Sequence, residues 1–295
     1  MGSTLSYRCE KSYVRPATIG EALELMENRD ACVLAGGTDL ITMRAQGLVS
    51  VSCLVDLKHL EELAGVYRAN GETRIGPNTC FEDLISDSRF CANAVTDGAA
   101  LVGGWQTRSR ATIGGNICRA SPGADTLCGL LVLGAKFDLI SSAGQRTIEA
   151  AKFFTGPGRT LLCSDEILQR IIVPESSGGS AYARFTYRNA MDLAVAGVAV
   201  FLDVRDGLCV DASVAVCACG PTPLLIPDAA RVLIGSAVDE AAIKAASQAV
   251  VSAAQPIDDV RGTRRHRLHI LPSLTRQVIQ LAYKRGVDAI SEARS

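Results

Sequence analysis

Long apolar runs are the first thing this sequence lacks: no stretch of about eighteen uninterrupted apolar residues occurs, so it offers no membrane-spanning helix. The start, MGSTLSYRCEKSYVRP, has neither the apolar centre of a secretory leader nor a twin-arginine pair, and a cytoplasmic protein is expected. Basic excess is missing as well. The 30 Lys and Arg stand against 31 Asp and Glu, a formal net charge of -1, which leaves nothing to neutralise nucleic-acid phosphates. The one basic cluster, Arg261, Arg264, Arg265 and Arg267, is short and reads as the solvated start of a helix.

Histidine is scarce at three residues. His266 and His269 could share a helix face, but no carboxylate or thiol completes a metal set around them. Eleven cysteines include no C-x-x-C, only the C-x-C of Cys217 and Cys219, and no four sit at a spacing that suits zinc or an iron-sulfur cluster. Scattered through apolar stretches, as at Cys32, Cys53 and Cys163, they fit buried thiols in a reducing compartment. G-x-G-x-x-G after a strand and G-x-x-x-x-G-K-[ST] are both absent, which disfavours a doubly wound nicotinamide site and a P-loop. Trp105, the single Trp, makes no aromatic box and is expected in the core with Phe153, Phe154 and Phe185.

What is present is ample apolar surface: 48% of the 295 residues are hydrophobic, enough for two domains with proper cores. Thr18 followed by Glu21 has the form of a capping box and opens an amphipathic helix through Ala22, Leu23 and Leu25. CVLAGG, TDLITMRAQG and CLVDL read as strand, helix and strand, a small βαβ pattern ending near residue 57. Shorter strands, GVYRA and TRIGP, follow, then a helix begun near Thr79, and later a change from helical to strand spacing in TLCGLLVLGAKFDLIS. ESSGGS, residues 175–180, is the best linker in the sequence and places a domain boundary near residue 177. Beyond it, strands such as LAVAGVAVFLDV and VDASVAVCACG precede Ala-rich helices, an α+β half.

Two glycine stretches carry the chemistry. AGGTD and TIGGN each lead from a turn into a helical segment, where backbone N–H groups form a nest of positive partial charge and a missing Cβ lets an anion approach. Two such turns flanked by Thr38, Thr112 and Asn116 suit a ligand carrying a diphosphate. Asp39 could equally N-cap the next helix, Asn116 could close its own turn, and Asp125 could be an ordinary turn residue after Pro122 and Gly123.

In order along the chain, VLAGGTDL, RIGPNTCFEDL, TRSRATIGGNICRASPGAD, DEILQRIIVP, YARFTYRNAMDLAVAGVAV and DDVRGTRRHR resemble the FAD-binding medium subunit of molybdenum hydroxylases. That group contains carbon monoxide dehydrogenase, nicotine and quinoline-type dehydrogenases and the flavin domain of xanthine dehydrogenase. The resemblance covers essentially the whole chain. It implies an α+β fold: a two-part FAD-binding domain of the vanillyl-alcohol-oxidase-like (PCMH) type over residues 1–176, with subdomains of about 1–57 and 58–176. A smaller α+β C-terminal domain, antiparallel sheet plus helices, would span 177–295.

By the same resemblance, Ala35, Gly36, Gly37, Thr38 and Asp39 clasp the FAD diphosphate from one side and Thr112, Ile113, Gly114, Gly115 and Asn116 from the other. Val102 would lie against the cofactor, Asp125 on its ribityl or ribose hydroxyls, Leu168 beside the adenine and Arg184 near the flavin ring. Position 184 is usually Lys in the family and the residue after Asp192 is often aromatic; Arg184 and Leu193 depart from both patterns.

No catalytic side chain and no metal site is expected here. The resemblance implies that electrons come from a molybdopterin-binding large subunit through two [2Fe-2S] clusters on a small subunit, in an assembly expected to be a dimer of heterotrimers, and leave for an external acceptor. A stand-alone FAD oxidoreductase and a non-catalytic nucleotide-binding assembly module are the alternatives.

Overall fold

The computed structural model describes residues 12–28 and 30–294; the expectation that residues 1–11 hold no leader falls outside that range. Strands β1 (Ser12–Val14), β2 (Ala31–Leu34) and β3 (Cys53–Asp56) make a parallel sheet in the order β1-β3-β2. Parallel neighbours need crossover connections, and α1 (Ile19–Met26) and α2 (Leu40–Ala45) supply them. Helix α1 begins where Thr18 and Glu21 predict. The Glu21 amide donates to Thr18 Oγ1 at 3.1 Å, and the Glu21 carboxylate reaches back to the Ala17 amide at 2.7 Å. Ile19, Ala22, Leu23 and Met26 face the core, the stripe expected of an amphipathic helix.

A second sheet is antiparallel. It joins β4 (Val66–Ala69), β5 (Glu72–Ile75), β6 (Lys136–Ser141) and β7 (Gly144–Glu149), while β8 (Phe154–Gly156) and β9 (Arg159–Thr160) form a separate hairpin. Strand β10 (Ile167–Pro174) enters the centre of the larger sheet, whose order is β4-β5-β10-β6-β7. Six short helices lie between these strands: α3 (Phe81–Ser86), α4 (Ala94–Ala100), α5 (Trp105–Arg108), α6 (Ile113–Arg119), α7 (Asp125–Val132) and α8 (Ala150–Phe153). All eight residues of α7 are buried, which is why its sequence shows no polar face. Phe153 and Phe154 join the core, but Trp105 does not. It starts α5, a single turn with no buried residue, and stays 61% exposed.

Residues 175–178 lead into a four-stranded antiparallel sheet, β11 (Gly179–Phe185), β12 (Ala196–Arg205), β13 (Leu208–Cys217) and β14 (Leu224–Leu225), in that order. Helices α9 (Pro227–Leu233), α10 (Glu240–Ala253) and α11 (Arg264–Arg294) follow. Strand β12 is buried along all but its last residue because both of its faces are covered. Val198, Val200 and Leu202 pack among the C-terminal helices, and the alternate Ala199 and Phe201 pack with α4 and α7. Across that junction Arg285 of α11 grips the Asp97 carboxylate of α4 with two nitrogens at 2.6 and 2.9 Å, and the Tyr182 amide of β11 donates to the same carboxylate at 2.9 Å.

Candidate functional site

The chain leaves β2 through Ala35–Asp39 and, much later, enters α6 through Thr112. These two segments touch. A Cβ on Gly36 would lie 2.1 Å from the Arg110 carbonyl oxygen and 2.9 Å from Ala111 Cα, and one on Gly114 would lie 2.4 Å from Pro77 Cβ. Both glycines therefore serve first to let protein backbone meet protein backbone. Gly115 is different: a Cβ there would meet Thr112 Oγ1 at 3.0 Å and Ala35 Cβ at 3.9 Å, with the cavity beyond. Gly37 takes φ +77°, the left-handed region that favours glycine.

Between the segments lies a cavity of ≈ 810 Å³. Of the residues expected at the site, Ala35, Gly36, Gly37, Thr38, Asp39, Val102, Thr112, Gly114, Gly115, Asn116 and Leu168 line it. The two glycine segments contribute unequally. Among the described residues the amides of Gly36, Gly37, Thr38 and Asp39 donate to nothing, whereas every amide from Ile113 to Asn116 is used internally. The Ile113 amide bonds Thr79, the Gly114 amide bonds Pro77, and those of Gly115 and Asn116 bond Thr112, at 2.8–3.1 Å. Open donors beside a cavity are what an anion requires, and the first segment has donors to spare where the second has none.

Side chains refine that picture. Asp39 occupies the N-cap position of α2 without a side-chain capping bond; its carboxylate instead pairs with Arg119 of α6 at 3.2 Å, tying the two segments together. Asn116 does not close its own turn. Its Oδ1 accepts from Thr126 Oγ1 at 2.6 Å, which leaves the Nδ2 donors of a cavity-lining residue free. Thr112 caps α6 by accepting from the Gly115 amide.

Ile113, Asp125 and Arg184 stand behind the wall. Ile113 is wholly buried. Asp125 accepts from Tyr182 Oη at 2.7 Å and pairs with Arg184, which also donates to the Leu101 carbonyl at 2.9 Å. Burial pushes the Asp125 carboxyl up to about 6 against the pull of Arg184 and Tyr182. Arg184 thus braces the segment that brings Val102 to the cavity. Leu193 is about half exposed and lies outside the wall.

Sequence reasoning missed several wall residues, among them Cys32, Asn78, Cys118, Arg119 and Glu166. Arg146 and the Cys163 amide hold the Glu166 carboxyl below the usual range, while burial pushes the Cys118 thiol up to about 12, so it stays neutral at working pH. Lys58 also escaped notice, though it follows directly on a parallel strand, where ligands of α/β sheets gather at the carboxyl ends.

Residues 6–176 match the family described as the FAD binding domain in molybdopterin dehydrogenase, and residues 180–282 match the CO dehydrogenase flavoprotein C-terminal domain. The chain belongs to the FAD-binding medium subunits of the molybdenum hydroxylases. This flavoprotein is 32% identical over 278 residues to the xanthine dehydrogenase FAD-binding subunit of Escherichia coli, covering 92% of this chain and 95% of that one. It is 31% identical to the carbon monoxide dehydrogenase medium chain of Afipia carboxidovorans, covering 93% and 97%.

Among solved structures, a carbon monoxide dehydrogenase from Hydrogenophaga pseudoflava superposes with a TM-score of 0.90 at 30% identity, covering 94% of this chain and 98% of that one. Quinoline 2-oxidoreductase from Pseudomonas putida gives 0.87 at 29%, covering 92% and 96%. The architecture of a PCMH-type FAD-binding domain and a smaller α+β domain is therefore that of the family, and FAD is the cofactor. The open amides of Gly36–Asp39 and the space that a Gly115 side chain would fill suit a dinucleotide with a diphosphate at its middle.

Proposed function

We propose that the cavity holds FAD with its diphosphate on the amides of Gly36, Gly37, Thr38 and Asp39, and that electrons reach it from partner subunits. The unpartnered run of donors in the cavity wall carries this reading. Gly115 and Asn116 close over the diphosphate from the second segment, Leu168 flanks the adenine end, and Val102 lies toward the flavin ring. Arg184 and Asp125 act behind Val102, through Leu101, rather than by exposed contact. The division falls near residue 177, with residues 1–176 binding the dinucleotide and 177–295 bracing it.

When bound, the flavin supplies the redox chemistry of the subunit. The chain's own residues bind it, orient it and surround it with dipoles. The partners are a large molybdopterin-binding subunit and a small iron-sulfur subunit, assembled as a dimer of heterotrimers in the cytoplasm. Among the described residues no group of His, Cys, Asp and Glu could hold a metal and no helix is long and apolar enough to cross a membrane.

Purification from the native source tests the reading. Three polypeptides should copurify with flavin absorption near roughly 370 and 450 nm, a property of the cofactor, and a native mass corresponding to two copies of each chain. A colourless chain purifying alone would overturn it.

A further inference from the structure

Parallel strands β2 and β3 end side by side, so the segments that leave them are neighbours. Strand β2 runs directly into Ala35. Strand β3 ends on Asp56, which has no exposed surface. Three donors converge on that carboxylate: Lys58 Nζ at 2.6 Å, the Lys58 amide at 3.0 Å and the Tyr13 hydroxyl from β1. Burial works against the charged form, yet these donors hold the Asp56 carboxyl below its usual range. The Lys58 ammonium, with its side chain 25% exposed, is therefore held in place, and it makes one more bond, to the Ala35 carbonyl at 3.3 Å.

The consequence appears across one peptide plane. No described peptide bond is cis, and in a planar trans peptide the C=O and N–H point in opposite directions. A carbonyl of Ala35 fixed on Lys58 sends the N–H of Gly36 the other way. Gly36 lines the cavity, and its amide is the first of the four unpartnered donors. Glycine itself imposes little preference on such a peptide. A flipped Ala35–Gly36 unit would turn a carbonyl oxygen, not a donor, toward an anion.

We propose that Lys58 is a positioning residue for FAD binding: anchored on Asp56 and Tyr13, it locks the Ala35–Gly36 peptide with its N–H toward the diphosphate. The proposal rests on the reading of Gly36–Asp39 as the diphosphate cradle, and the experiment separates the two.

The full chain, stripped of flavin, is titrated with FAD while flavin fluorescence is followed. The melting temperature and the ¹⁵N shift of the Gly36 amide are recorded on the flavin-free protein. Lys58→Met should raise the FAD Kd by about tenfold or more and shift the Gly36 resonance, while the flavin-free melting temperature falls because the buried Asp56 loses a partner. Lys58→Arg, which retains a cationic donor, should restore most of the affinity.

Gly115→Val is the control. If it too binds FAD normally, the cradle reading itself fails. If Gly115→Val loses FAD while Lys58→Met retains it, the cradle stands and Lys58 has no orienting role. A Lys58→Met chain that fails to fold, or that melts lower in proportion to its lost affinity with the Gly36 resonance unmoved, also overturns the proposal by assigning Lys58 to stability alone.

Discussion

Asp125 of α7 and Arg184 of β11 form an ion pair across the junction between the two halves of the chain, with side chains only 6% and 4% exposed. A buried pair is weak evidence of net stabilisation, but removing one partner strands the other charge out of water. Arg184 has a second task, its bond to the Leu101 carbonyl, so the pair links the C-terminal sheet to the cavity wall at Val102.

Asp125→Ala should therefore unfold more easily, by about 3 kcal/mol or more, and should release FAD as a secondary effect of losing the brace. Urea denaturation of the flavin-free chain measures the first and FAD titration the second. Wild-type stability combined with weakened FAD would instead place Asp125 in direct contact with the cofactor.

The same carboxylate predicts a pH dependence. Its folded value of about 6 lies above the roughly 3.9 of an unfolded Asp. Between those values the folded chain holds more protons than the unfolded one. The contribution of Asp125 is therefore fully present below about pH 4 and is lost as pH rises through about 6. Carboxylates such as Asp56 and Glu166, held below their usual values, act in the opposite sense and lose stability as pH falls. The unfolding free energy of wild type minus that of Asp125→Asn, which cannot titrate at this site, isolates the first effect. It should decline from pH 4 to pH 6 and then level off; a flat difference refutes the raised value.

The two glycine segments separate under mutation. Gly36→Val drives a Cβ into the Arg110 carbonyl at 2.1 Å, so the segments must part and the flavin-free melting temperature should fall. At Gly115 the nearest atoms stand at 3.0 and 3.9 Å. Gly115→Val should keep its fold and lose FAD affinity by about tenfold or more, about 1.4 kcal/mol. Thermal melts paired with flavin stoichiometry distinguish these outcomes, and normal stoichiometry in Gly115→Val counts against the cradle.

Those contrasts show what the sequence could disclose. AGGTD and TIGGN were legible because glycines beside small polar residues stand out locally, and α1 was legible because Thr18 and Glu21 mark its start. That one segment keeps its amides open while the other spends them on Thr79, Pro77 and Thr112 depends on contacts between distant stretches. Lys58 and Arg119 were missed for the same reason: their partners, Ala35 and Asp39, are brought close only by the fold. Asp125, expected beside the cofactor, is bonded by Tyr182 and Arg184, partners that lie far along the chain and that the sequence does not disclose. Residue type alone puts Trp105 in the core, and its place at the start of a one-turn surface helix overrides that preference.

The last prediction concerns where the electrons originate. The cavity wall offers amides, Asn and hydroxyl side chains, apolar residues, thiols of which Cys118 is kept neutral by burial, and two carboxylates that are already engaged, Asp39 by Arg119 and Glu166 by Arg146. Proton abstraction from an organic substrate needs a poised base within reach of it, and the buried Asp125 is sealed behind the wall with its oxygens engaged by Tyr182 and Arg184. The histidine pair His266 and His269 lines a different, open groove, far in the sequence from either glycine segment. The isolated chain should accordingly bind FAD yet show no bleaching of the flavin with aromatic heterocycles, aldehydes or carbon monoxide. The assembled complex should bleach once its own substrate is added. Anaerobic absorption spectra before and after substrate make the comparison, and substrate-dependent bleaching in the single chain would establish a stand-alone oxidoreductase instead.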